Sequence, residues 1–157
     1  MKKIIIIYYS ETGNTKKMAQ LISEGVKEEN VDVVVKNVEE TNAQELLDYD
    51  GIIIGSPTYY GLPSYQIKKL LDDSVSFHGS LEGKVGGAFS SSANIGGGNE
   101  TTIMSIIEAM LIHGMIVKGT SKGDHYGPVS IGKPDNRVER QCRAYGRMVA
   151  ELVKKLR

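Results

Sequence analysis

Six consecutive residues, Ser10, Glu11, Thr12, Gly13, Asn14 and Thr15, place three hydroxyls, an amide and a glycine directly ahead of an amphipathic stretch. The chemistry this combination suits is anion capture. Short polar side chains and backbone N–H groups at a helix N-terminus hold a phosphate without a cationic side chain, and glycine lets the backbone approach closely. A plain helix cap is the competing reading, but a cap needs only one such residue. Lys16 and Lys17 follow and are expected to face solvent. A triphosphate loop would end in Gly-Lys-Ser/Thr and a dinucleotide site would carry Gly-x-Gly-x-x-Gly after a strand; neither is present, so a single phosphate monoester fits best.

Two further segments have the composition of ligand loops. In the first, Pro57, Thr58, Tyr59, Tyr60, Gly61, Leu62 and Pro63 combine two stiffening prolines, a glycine that permits positive φ and a pair of tyrosines. Two tyrosines there offer an aromatic wall to a flat ligand, with a solvent-exposed turn as the alternative. In the second, Ser91, Ser92, Ala93, Asn94, Ile95, Gly96, Gly97 and Gly98 resemble a flexible linker in composition. They join an apolar run directly to a helical stretch, however, so their backbone amides can border a heteroaromatic ring. A phosphate pocket, an aromatic wall and a polar rim together describe a site for a flat ring with a phosphorylated tail. Flavin mononucleotide (FMN) meets that description.

The elements that must position these loops alternate along the whole chain. Residues 4–9, 31–35, 51–55, 85–90 and 115–118 are short β-rich runs, mostly without polar alternation, as expected of parallel strands buried on both faces. Between them, Met18, Leu21, Ile22, Gly25 and Val26 share a helical face, as do Ile67, Leu70 and Leu71, and Ile103, Ile106, Ile107, Met110 and Leu111. A short helix is expected over 43–47. A last helix carries Val138, Cys142, Tyr145, Val149, Leu152 and Leu156 inward, which makes Cys142 a core residue rather than a nucleophile. Asn99 is expected to cap the helix it precedes and Gly114 to end it. Strands alternating with helices imply right-handed crossovers, a parallel sheet of about five strands and helices on both faces. Residues 119–136 are rich in Gly, Pro and Ser, with 129–131 read as a continuation of the fifth strand. Ligands of such sheets sit beyond the carboxyl ends of the strands, where all three loops fall.

Composition narrows the alternatives. At 157 residues the chain is expected to form one domain. Lys plus Arg and Asp plus Glu both number 19, giving a net charge of +0 and no electrostatic footprint for nucleic acid or an anionic membrane. A single cysteine excludes an intrachain disulfide and thiolate-rich zinc sites, and a reducing cytoplasm fits best. Lys2 and Lys3 before the apolar 4–7 run read as the start of a strand rather than a signal peptide. Of the scattered histidines 78, 113 and 125, none has metal-ligand spacing; surface or packing roles are expected, with His125 in the Gly-rich segment placed near the site. No metal is expected.

At these residues the sequence resembles the flavodoxin superfamily, and the 10–15 loop resembles its FMN-phosphate signature. Similarity to the WrbA-type NAD(P)H:quinone oxidoreductases is closer and runs nearly end to end. It includes Tyr8-Tyr9-Ser10, Asp48-Tyr49-Asp50 through Pro57-Thr58 and Gly61, Phe89-Ser90-Ser91, Gly96-Gly97-Gly98, His113-Gly114-Met115 and Tyr126-Gly127. The resemblance implies a flavodoxin-like three-layer α/β sandwich with strand order 2-1-3-4-5. It also implies FMN held by residues 10–15, by Thr58, Tyr59 and Tyr60, and by the loop from Ser91, with the N5 edge of the flavin facing the Tyr60-Gly61 backbone. The implied partners are a redox protein, or NAD(P)H and a quinone; a homo-oligomer is also allowed.

Departures accompany the likeness. The insertion between the second and third strands and the excursion within the fifth are trimmed relative to WrbA-type enzymes. Ile112-His113-Gly114 replaces a His-His-Gly sequence, and Tyr59 replaces an arginine beside the flavin wall. Electron-carrier flavodoxins are usually acidic and often have an acidic residue after this glycine; here Leu62 follows Gly61 and the net charge is +0, so a less extreme low potential is expected. The first functional expectation is an FMN redox carrier and the second an NAD(P)H:quinone oxidoreductase. A response-regulator module is disfavoured because Ser56, not a phospho-acceptor Asp, ends the third strand.

Overall fold

Four isoleucines in succession, Ile4 to Ile7, set the plan of the molecule. Successive side chains of a strand point to opposite faces, so an apolar residue at every position demands cover on both sides. In the computed structural model, which describes residues 1–156, that cover is a helical layer on each face. Strand β1 (Lys3–Tyr8) sends Ile4, Ile6 and Tyr8 toward helices α1 (Asn14–Glu28) and α4 (Asn136–Lys155), where they pack with Met18, Ile22, Cys142, Tyr145 and Val149. Ile5 and Ile7 point the other way, toward α2 (Tyr65–Asp73) and α3 (Asn99–Ile112), among Leu46, Ile67, Leu70, Ile103 and Ile106. Each such side chain contributes roughly 1.5–3 kcal/mol on leaving water.

Strands β2 (Asp32–Asn37), β3 (Gly51–Pro57), β4 (Val85–Ser92) and β5 (Ile116–Val117) complete a parallel sheet in the order β2-β1-β3-β4-β5. The expected α/β sandwich and strand order are therefore observed. Edge strand β2 is half-exposed rather than covered on both faces, which corrects the expectation for 31–35. The short helix expected over 43–47 is observed as a 3₁₀ helix, Ala43–Asp48, opened by a capping box between Asn42 and Glu45. The sheet's last position is split. Val117 pairs with Gly86, residues 118–128 leave the sheet, and β6 (Val129–Ile131) returns to pair with Ser90, Ser91 and Ser92. At the level of the split, the Ala88 N–H donates to the Tyr145 hydroxyl at 3.1 Å. Burial pushes that phenol up to about 12, so it stays un-ionised.

Helices α1 and α4 touch backbone to backbone. A Cβ added at Gly25 would fall on the Arg143 carbonyl oxygen, and one at Gly146 on the Ile22 carbonyl oxygen. Cys142 is fully buried beside this contact and burial raises its thiol to about 12, as a core role requires. No helix among the described residues is long and apolar enough to cross a membrane.

Candidate functional site

The three polar loops leave the carboxyl ends of β1, β3 and β4, which are neighbours in the sheet, and hydrogen bonds tie them to one another. Thr15, in the first turn of α1, is buried and bonds Ser91 at 2.9 Å. The Thr58 amide donates to the Ser91 carbonyl at 2.8 Å and its hydroxyl lies 2.9 Å from Ser90 Oγ. The Tyr59 phenol reaches across to donate to Glu11 Oε2 at 3.0 Å. Of the residues expected at the site, 10–15, 57–61 and the 91–97 loop are thus brought to one edge.

The first loop has the shape of an anion cradle. Gly13 sits at φ +98 with no heavy atom within 4 Å of where a Cβ would lie, so glycine is present for its backbone and not for space. Its amide donates to Ser10 Oγ at 3.0 Å, which folds the loop back on itself. A helix beginning at Asn14 leaves the amides of Asn14, Thr15 and Lys16 without helical acceptors; the Lys17 amide is the first to find one, on the Gly13 carbonyl at 3.0 Å. Glu11, Thr12 and Gly13 are exposed, and so are Lys16 and Lys17 on the helix. The loop fits a phosphate through amides and hydroxyls, with Thr15 bracing it from behind.

The second loop contains a tight turn. Tyr59 and Leu62 exchange backbone hydrogen bonds at 2.9 and 3.0 Å, with Tyr60 at φ +51 and Gly61 at φ +76 between them. Positive φ at both central positions defines a type I′ turn. A tyrosine in this region costs on the order of 1 kcal/mol, and here its ring is fully exposed, so its own packing offsets none of that cost. Tyr59 is 39% exposed. Partial burial, then the adjoining Glu11 carboxylate, push its phenol up to about 12, which keeps it a hydrogen-bond donor at neutral pH.

The third loop rests on a polar network beneath it. Thr58 Oγ1 accepts from Thr102 Oγ1 at 3.1 Å and approaches Asn99 Oδ1 at 3.5 Å, while Asn99 Nδ2 donates to Ser92 Oγ at 2.9 Å. Asn99 is therefore not the helix cap that sequence suggested. Gly98, at φ +103, takes that place, and Asn99 lies buried in the first turn. The spacing of Asn99 and Thr102 signals this in retrospect, since i and i+3 share one helical face. Ser92, Ala93, Asn94, Gly96 and Gly97 line the outer side, with the Gly97 amide donating to the Asn94 carbonyl at 3.1 Å. His125 is not joined to these loops by any hydrogen bond; its Nδ1 lies 2.9 Å from the Thr120 carbonyl, within the 118–128 excursion beside β4.

Away from this edge, a cavity of about 780 Å³ opens between α2 and α3, lined in part by Leu62, Val75, Ile112, His78 and His113. His113 is buried, with Nε2 2.7 Å from Ser74 Oγ. Ser74 spends its one proton on the Leu71 carbonyl at 2.6 Å, so it accepts from His113 Nε2–H, and Nδ1 is the bare nitrogen. That atom has no partner among the described residues. Burial first, then neighbouring His78, lower the His113 pKa. The folded state thus binds this proton more weakly than the unfolded one, and stability is expected to fall as pH drops through the ordinary histidine range near ~6.5. Urea unfolding between pH 8 and pH 5 should show that decline, and His113→Phe should flatten it; an equally steep decline in the variant would contradict the assignment. No group of three or more His, Cys, Asp or Glu among the described residues is arranged to hold a metal ion.

A doubly wound sheet with free helix-start amides and an aromatic turn at its carboxyl edge has the chemistry to take a flat ring with a phosphorylated tail. Residues 6–102 match the flavodoxin family. The chain is 41% identical over 98% of its length to a flavodoxin of Aquifex aeolicus, of which 88% is covered. It is 34% identical over 99% of its length to an NAD(P)H dehydrogenase (quinone) of Archaeoglobus fulgidus, covered in full. Among solved structures, a flavodoxin, WrbA-like protein from Agrobacterium tumefaciens superposes with a TM-score of 0.84 at 26% identity, both chains covered completely. The chain belongs to the flavodoxin family, with WrbA-type relatives, and is an FMN-binding electron-transfer protein.

Proposed function

We propose that this flavodoxin is a carrier that exchanges electrons with separate redox proteins. In this reading the FMN phosphate sits in the 10–15 loop, held by the free amides at the start of α1 and by Ser10, Thr12 and Asn14. Thr15 positions the loop. Pro57, Thr58, Tyr59, Tyr60 and Gly61 wall the ring, with Tyr60 as the exposed face, and Ser91, Ser92, Ala93, Asn94, Gly96 and Gly97 border its polar edge. His125 would join the site from the 118–128 excursion. The flavin supplies the redox chemistry; these residues supply position and electrostatics. The observation that carries the reading is the convergence of the three loops through the Thr15–Ser91, Thr58–Ser90 and Tyr59–Glu11 bonds. The lone buried cysteine suits a reducing cytoplasm.

A second reading, direct NAD(P)H:quinone oxidoreduction, draws on the quinone dehydrogenase relatives. Against it, the Archaeoglobus alignment runs over 190 positions and this chain has 157 residues, so at least 33 positions of that enzyme have no counterpart here. Anaerobic addition of NADPH to the yellow holoprotein separates the two. Colour should persist with NADPH alone and bleach once a flavodoxin reductase is added. Rapid bleaching by NADPH alone, followed by quinone turnover, would replace the carrier with the enzyme.

A further inference from the structure

His78 and His113 are far apart in sequence, yet both line the cavity between α2 and α3. His113 is the C-cap residue of α3, and His78 ends the 3₁₀ turn Ser74–Phe77 that follows α2. Their ring centroids lie 5.7 Å apart with the planes tilted by 39°. Packing accounts for a pair of rings at this distance, but not for how His113 is held. Its side chain is 9% exposed, its Nε2–H is fixed on Ser74 Oγ, and Ser74 is fixed in turn on the Leu71 carbonyl. This relay selects one tautomer and leaves a lone pair on Nδ1, which has no partner among the described residues. Buried polar atoms are almost always paired, and an unpaired one in a native fold calls for a bound water or ion.

Chemistry and spacing favour an ion. A histidine that ligates a metal donates its other ring N–H to a fixed acceptor, which is the part Ser74 plays. Burial, then His78, favour the neutral ring, the form that ligates. A metal ~2.0–2.1 Å from one nitrogen of each ring sets the ring centroids roughly 5–6.5 Å apart, as the angle at the metal opens from tetrahedral to linear. The observed 5.7 Å falls in that range. His78 is exposed and its ring has no hydrogen bond among the described residues, so it is free to turn a nitrogen toward His113. Charge acts in the same direction. Glu108, which has no ion pair among the described residues, lines the same cavity, and the end of α3 presents the negative pole of its helix dipole. Lys68 also lines the cavity, but its ammonium is paired with Asp72 at 2.6 Å.

We propose that His113 Nδ1 and a ring nitrogen of His78 together bind one divalent first-row cation of the zinc class, tying the Ser74–Phe77 turn to the end of α3. Imidazole suits zinc, copper and nickel, and a thiolate would be needed to select a softer ion. The lone cysteine, Cys142, is buried in the core on the other face of the sheet. Two protein ligands are fewer than the four of a closed structural zinc site, so water from the cavity completes the coordination and the ion exchanges with solution. The site lies away from the three polar loops and does not depend on the flavin reading.

The test is calorimetric titration of zinc chloride into the purified protein after chelator treatment, with the nitrogen-15 shifts of the histidine rings followed in parallel. Wild type should take up one zinc per chain. The His113 Nδ1 resonance should move while Nε2 keeps its proton, and the urea midpoint should rise with zinc, as binding to the folded state requires. His78→Ala removes an exposed ring and should leave the zinc-free urea midpoint unchanged. It should weaken zinc binding by at least about tenfold, the lower bound for losing even an outer partner of a metal site. Absence of saturable uptake, an Nδ1 resonance that stays in place, or equal zinc affinity in wild type and His78→Ala would each overturn the site and leave the two rings as a packing pair. The wild-type shift decides the matter even where the variant is unstable.

Discussion

Replacing Gly146 with alanine is expected to destabilise the protein by about 3 kcal/mol, the upper end of the cost of forcing a carbon into a packed interior. The sign is the informative part. In the interior of a helix, glycine to alanine ordinarily stabilises by roughly 0.5–1 kcal/mol through the backbone. Here the added Cβ would fall on the Ile22 carbonyl oxygen of α1, a backbone atom that no rotamer change can move aside. Helices α1 and α4 would have to separate, loosening Met18, Ile22, Cys142 and Val149 together. Gly25→Ala meets the Arg143 carbonyl from the opposite side and should behave alike. Urea denaturation at pH 7 measures both; a neutral or stabilised variant would show that the two helices are not in backbone contact.

Thr12→Glu should weaken FMN binding by about 100-fold while leaving the fold intact. Thr12 is exposed at the tip of the 10–15 loop, so the longer side chain meets no packing constraint. It would add a carboxylate to a cradle made of neutral donors. At an effective dielectric of ~20, unit charges about 5 Å apart repel by about 3 kcal/mol, which is about 100-fold in Kd. The resident Glu11 keeps its charge but turns its carboxylate to the Tyr59 phenol, so a charge at position 12 adds to its effect. Riboflavin, which lacks the phosphate, should bind the variant and wild type equally. Equal weakening of both ligands would mean that the loop was deformed; unchanged FMN affinity would place the phosphate elsewhere.

What could be read from sequence and what could not divides along physical lines. Strands β1, β3 and β4 are legible because burial on both faces removes polar alternation, as Ile4 to Ile7 and Ile52 to Ile54 show. β2 is less so, since an edge strand needs apolar residues on fewer positions. The split fifth strand was foreshadowed by the Gly-rich 119–136 segment, but the pairing of Val129 with Ser90 depends on register, which local composition does not carry. At the site, the phosphate loop and the tyrosine turn are visible as residue types at fixed offsets from strand ends. The bonds that join them, such as Thr15 to Ser91 and Thr58 to Ser90, link residues 76 and 32 positions apart and have no local signature. Asn99 departs from the expected cap for the same reason: local preference favours a cap, and tertiary partners at Ser92 and Thr58 draw it inside. His113 took a packing role, yet its orphan nitrogen follows only from the bond between Ser74 and Leu71.

The central claim is that a neutral cradle of amides and hydroxyls at the start of α1 recognises the phosphate of a flavin. Calorimetric titration of the cofactor-free protein with FMN and, separately, with riboflavin tests it most directly. Charge-assisted hydrogen bonds to the phosphate should make FMN bind at a one-to-one ratio at least ~100-fold more tightly than riboflavin. Equal affinity for the two, or no heat with FMN at any concentration, would contradict the account.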